Sequence, residues 1–174
     1  VAARLDEIAR IELTTQDSAI RIISKVGPLH NPADRDHCLQ YMVAVPLIFG
    51  ELTAAHYEDA VAADPRIDRL RDLMQVQEDE RYSREYHDPD KRSIANAVQV
   101  FFTDGSSTEK VEVEYPIGHR RRRAEGIPVL ERKFLDALRG HFPRRQAQTV
   151  YDLCLDAERL HATPVNAFMD LLMI

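Results

Sequence analysis

Two short stretches of this 174-residue chain gather cationic and proton-transferring side chains. The first, KVGPLHNPADRDHCLQY, runs from Lys25 to Tyr41. Its prolines and glycine deliver the chain into the start of an apolar helix. Free N–H groups at a helix start, and the positive end of the helix dipole, favour anions there. Lys25, His30, Arg35 and His37 add side-chain positive charge. His37 and Tyr41 are four positions apart and are expected on one helix face. A carboxylate-rich ligand would suit this corner. The same residues also read without a ligand, with Asp34 as an N-cap, Arg35 and Asp36 in solvent, and His37 as a boundary histidine. The second stretch, YPIGHRRRR, runs from Tyr115 to Arg123 and sets His119 beside four successive arginines. Arginine offers a planar fork that fits carboxylates. A nucleic-acid patch and a solvated basic turn are the competing readings.

Other chemistries lack their residues. The chain has no Gly-rich phosphate loop, paired-cysteine or His-Glu zinc motif, or Gly-x-Ser-x-Gly elbow, so no metal site is expected. Cys38 and Cys154 are far apart in sequence and read as free thiols of a reducing, cytoplasmic compartment. They could not hold an iron–sulfur cluster by themselves. The net charge of −6 argues against a general nucleic-acid or acidic-membrane binder. The longest apolar run, Tyr41 to Phe49, contains Pro46 and falls far short of the ~20 residues that span a bilayer. The chain opens Val1-Ala2-Ala3 without a methionine, as processing or a fragment would explain.

The elements that must carry these stretches follow from periodicity. Ile11 and Leu13 alternate with polar neighbours, as do Met74 and Val76, Val98 to Phe102, and Val111 to Tyr115. Asp104-Gly105 marks a hairpin between the last two runs. Between the first two, one buried helix is expected from Asp34 to Phe49, stopped by Gly50 and bent at Pro46. Further helices are expected over Ala54–Ala63 and Arg66–Asp72, and Glu78–Asn96 reads as a long charged surface loop with room for a helical turn. Residues 1–117 thus read as an α+β unit with an antiparallel sheet of about four strands. Residues 126–174 read as three amphipathic helices, with Pro128 at the first helical position of one and Thr163-Pro164 opening another. Three such helices need another surface to cover their apolar stripes.

Four long strings then carry a resemblance: GPLHNPADRDHCLQYMVAVPLIFGELTAAHYED (Gly27–Asp59), DPDKRSIANAVQVFFTDGS (Asp88–Ser106), VEVEYPIGHRRRRAEGIP (Val111–Pro128) and TPVNAFMDLLMI (Thr163–Ile174). In this order they resemble the MmgE/PrpD family, and within it the branch that dehydrates 2-methylcitrate. The resemblance implies the C-terminal third or so of a longer hydro-lyase. Residues 1–124 would belong to an α+β lid, and residues 125–174 would be the last helices of a large all-helical domain. It implies a cofactor-free, homodimeric enzyme acting on a tricarboxylate, with most of its proton-transfer residues on the helical domain and at the start of the lid. On this reading Lys25 and Arg35, with His119 and Arg120 as second choices, bind substrate carboxylates. His37 and Tyr41 are the candidate catalytic proton donors. A polycarboxylate-binding module without catalysis, and a relative with decarboxylase or epimerase activity, stay open as alternatives.

Overall fold

A computed structural model describes residues 1–173 of the chain. Ile174, the end of the expected C-terminal helical segment, lies outside them. The chain divides into two compact units, Val1–Pro116 and Ile117–Ile174.

The first unit is built on a four-stranded sheet of order β2-β1-β3-β4. Its strands are β1 (Ile8–Thr15), β2 (Met74–Glu78), β3 (Asn96–Phe102) and β4 (Val111–Val113). β3 runs antiparallel to both β1 and β4, pairing Leu13 with Val98 and Val98 with Val111. β2 runs parallel to β1, pairing Leu13 with Val76. The sheet is therefore mixed, where the alternating pattern had suggested an antiparallel one. The physical reason is the long helical crossover between Thr15 and Met74, which carries the chain back to the same end before β2 begins. Alternation shows which residues form a strand, not its direction.

That crossover holds α1 (Asp17–Ile23), α2 (Pro32–Asp36), α3 (Leu39–Phe49), α4 (Asp59–Ala62) and α5 (Pro65–Asp72). Ile11, Leu13 and Val100 share one sheet face and pack with Tyr41, Ala44 and Val45 of α3 and Ile67 and Leu70 of α5. Burial of such side chains stabilises the fold by ~1.5–3 kcal/mol each. Gly50 closes α3 in the left-handed conformation, at φ +82°, and its N–H donates to the Pro46 carbonyl at 2.9 Å. The single helix expected from Asp34 is instead two, because Cys38 lies extended at φ −128°, ψ 108°. Cys38 is fully buried there, its thiol directed at the Lys25 carbonyl. The expected helix over Ala54–Ala63 is a tight 3-10 turn at Ala54–Tyr57 followed by α4.

The segment read as a loop with room for a helical turn holds a longer helix, α6 (Glu80–His87), capped by the Asp79 side chain, which accepts from the Arg81 N–H. Tyr82 is its one fully buried residue, so little apolar periodicity marked it.

Among its described residues the second unit has four α-helices where three are expected: α7 (Arg123–His141), α8 (Arg144–Leu155), α9 (Ala157–Ala162) and α10 (Val165–Asp170). Asp156 breaks the helical run in an extended conformation, and its carboxylate accepts from the Arg159 N–H to start α9. Pro128 lies inside α7 rather than at its first position. Leu138, Ala147 and Val150 form the small core. Ile127, Leu130, Val165 and Met169 are exposed. Among the described residues, no helix is long and apolar enough to cross a membrane.

Candidate functional site

The first cationic stretch folds around a cleft of ≈ 380 Å³ lined by Leu29, His30, Arg35, Tyr41, Asp59 and Asp68, among others. That volume falls in the ~300–1,000 Å³ range of small-molecule sites. Asn31, not Asp34, caps α2: its side chain accepts from the Asp34 N–H at 2.9 Å. Asp34 instead accepts from the His30 N–H at 3.2 Å and faces Lys25 Nζ at 3.4 Å. These donors, His30 first, hold the Asp34 carboxyl below the usual aspartate range.

Arg35 is buried, against the reading that placed it in solvent. Its Nη1 donates to the Tyr57 carbonyl at 2.6 Å, and its Nη2 meets Asp59 Oδ1 at 2.7 Å. Its Nε is buried with no hydrogen-bond partner. Tyr41 starts from α3, stacks on Tyr57 at 5.9 Å between ring centres, and donates its hydroxyl hydrogen to the His56 carbonyl at 2.6 Å. Burial, first of all, raises the Tyr41 pKa, against the opposing pull of Arg35; Tyr57 and Asp68 raise it further and Arg71 lowers it. Tyr41 is thus a neutral phenol at neutral pH.

The structure brings only part of the expected set together. Arg35 and Tyr41 line the cleft; Lys25 and His37 are not among its lining residues. Lys25 is held by Asp34. His37 ends α2, outside α3, so its spacing to Tyr41 does not put the two on one helix face. It is exposed and pairs with Asp36 at 2.5 Å. In the second unit, His119 caps the turn Arg120–Arg122, its Nδ1 accepting from the Arg121 N–H at 3.2 Å. Arg122 pairs with Glu125 at 2.7 Å, and Arg120 is exposed.

One buried cation escaped the sequence reading. Arg71 of α5 donates through Nη2 to the Gly27 carbonyl at 2.8 Å and through Nη1 to Asp68 at 2.5 Å. Its spacing from Ile67, four positions earlier and also buried, was the available signal. Arg71 fastens the Gly27 turn to α5, as Arg35 fastens the Tyr57 turn to α2. Both arginines present fork-type donors, so the chemistry the first unit offers is carboxylate recognition beside a protonated phenol. Among the described residues, no group of three or more His, Cys, Asp or Glu is placed to hold a metal ion.

A family model described as the MmgE/PrpD C-terminal domain matches residues 1–157. The chain is 56% identical over 168 residues to a 2-methylcitrate dehydratase of Cupriavidus necator, covering 97% of this chain and 35% of that protein. It is equally similar, at 56% over 168 residues and with the same coverage, to a 2-methylcitrate dehydratase of Salmonella typhimurium. A mitochondrial 2-methylcitrate dehydratase of Yarrowia lipolytica is 58% identical over 145 residues, 83% of this chain and 28% of that protein. The chain therefore spans about a third of the length of these relatives.

Proposed function

This chain belongs to the MmgE/PrpD family, and on that premise we propose that it is the C-terminal part of a hydro-lyase that dehydrates 2-methylcitrate to 2-methyl-cis-aconitate in propionate breakdown. The observation that carries this reading is the 56% identity, over 97% of the chain, to a protein of that name. Residues 1–124 act as part of a lid, and residues 125–174 as helices of a larger all-helical domain. The exposure of Ile127, Leu130, Val165 and Met169 supports this, because an apolar helix face needs cover. The rest of that domain, and a second copy of the protein, are the proposed partners, and the cytoplasm is the proposed compartment.

The reaction breaks a C–H bond next to a carboxylate and a C–O bond on the neighbouring carbon. The C–H electron pair forms the double bond, a base takes the proton, and the hydroxyl leaves as water once an acid protonates it. Three substrate carboxylates, and the charge that builds up as the proton leaves, need fixed cationic donors. Arg35 supplies one in the cleft. Lys25 lends charge nearby, and His119 and Arg120 are the proposed carboxylate binders of the second unit. Tyr41, a neutral phenol, is the proposed proton donor to the leaving hydroxyl after releasing the His56 carbonyl. His37, held by Asp36, is the second proposed proton carrier. The general base belongs to the helical domain.

Incubating the protein encoded by the whole reading frame with 2-methylcitrate tests the proposal. The ultraviolet absorbance of the new conjugated double bond should grow, with one water lost per product. Release of carbon dioxide, or stereochemical inversion without loss of water, would instead assign a decarboxylase or an epimerase. Tight binding without any turnover would assign a polycarboxylate-binding module.

A further inference from the structure

The side-on edge of the Arg35 guanidinium, made by Nε–H and Nη2–H, is only half used. Asp59 Oδ1 engages Nη2 at 2.7 Å, while Nε is sealed from solvent with no partner. An unpaired donor of this kind is unfavourable in a folded protein. A carboxylate seated squarely on the edge would satisfy both N–H groups, in the bidentate geometry that arginine favours. Asp59 reaches it with one oxygen from the first position of α4. Its side chain is 85% exposed, against 6% for Arg35. The cation is fixed, with its other nitrogen anchored on the Tyr57 carbonyl, and the acid is loose. Both line the same ≈ 380 Å³ cleft.

Resting on the reading above, in which Arg35 binds a substrate carboxylate, we propose that Asp59 is an internal stand-in for that carboxylate, displaced when the incoming polycarboxylate takes Nε and Nη2 together. The exchange leaves the buried guanidinium paired both before and after the ligand binds. It also makes the ligand compete with Asp59, so the apparent affinity is the intrinsic affinity reduced by the fraction of molecules in which Arg35 is released. Arg71 repeats the pattern a short way along the fold. One nitrogen is anchored on the Gly27 carbonyl, one is paired with an exposed acid, Asp68, and Nε is buried without a partner.

Calorimetric titration of the protein with citrate as the probe tests the exchange. Asp59→Asn should bind citrate ~2–5-fold more tightly than the parent, as expected for loss of a competing, largely exposed ion pair. Glu58→Gln removes a neighbouring exposed acid and should leave the affinity unchanged. Arg35→Lys keeps the charge but removes the fork; it should weaken binding and cancel the gain from Asp59→Asn in the double variant. Equal or weaker binding by Asp59→Asn, or the same gain from Glu58→Gln, overturns the stand-in while leaving Arg35 as a carboxylate binder. Citrate binding that ignores Arg35→Lys, or no citrate binding by any variant, overturns the underlying reading of the cleft and the exchange with it.

Discussion

Tyr82 donates its phenolic hydrogen to Glu112 Oε2 across 2.5 Å, tying α6 to the edge strand β4. Arg81 holds the other carboxylate oxygen at 2.7 Å. Tyr82, first, and then Arg81 lower the Glu112 pKa below its ordinary value of 4.5. The folded state thus binds this proton less tightly than the unfolded chain. The stability gained is present above pH 4.5 and is lost as the pH falls through the lower, folded value. Tyr82→Phe should cost ~1 kcal/mol near neutral pH, a figure reduced for the partial exposure of Glu112. Thermal melts across the acid range should show the parent losing more stability than the variant, the two curves converging at the acid end. Parallel curves would contradict the assignment.

Gly126 and Gly140 lie in one helix, and alanine should act on them in opposite directions. A Cβ at Gly126 would collide with the Ile117 carbonyl oxygen, whereas nothing lies within 4 Å of one at Gly140. Gly126→Ala should destabilise by ~1–3 kcal/mol, since the blocking atom is backbone. Gly140→Ala should stabilise by ~0.5–1 kcal/mol through helix propensity. Chemical denaturation monitored by helical circular dichroism measures both.

Arg71 and Asp68 are paired but unequal, with side-chain exposures of 6% and 69%. Arg71→Met strands the Gly27 carbonyl and should cost ~1–3 kcal/mol. Asp68→Ala should change stability by less than ~1 kcal/mol. Similar losses from the two substitutions, read by thermal melting, would mean that the Gly27 contact contributes little.

How much of this was legible in the sequence depends on the range of the forces involved. β1 and β3 were readable because alternation at Ile11, Leu13, Val98 and Val100 is a local signal of a half-buried face. The direction of β2 was not, because it is set by a crossover of some sixty residues. The cationic character of Lys25–Tyr41 was visible, and the structure puts Arg35 and Tyr41 at one cleft. The burial of Arg35 was not visible, since its carbonyl partner, Tyr57, is 22 positions away. Counting four residues from His37 to Tyr41 assumed a continuous helix, which the extended Cys38 breaks. Arg71 carries no sequence signal of its role, because a charged residue between Leu70 and Asp72 reads as solvated until Gly27 is seen beside it.

The turnover number of Tyr41→Phe with 2-methylcitrate, in the protein carrying the whole reading frame, tests the central claim most directly. The substitution removes only the hydroxyl that binds the His56 carbonyl, so folding should suffer by ~1 kcal/mol. If that phenol hands its proton to the departing hydroxyl, the rate should drop by ~100-fold or more with the protein still folded. A folded variant whose turnover stays within about twofold of the parent would remove Tyr41 from the chemistry, and with it the proton-donor role assigned to this cleft.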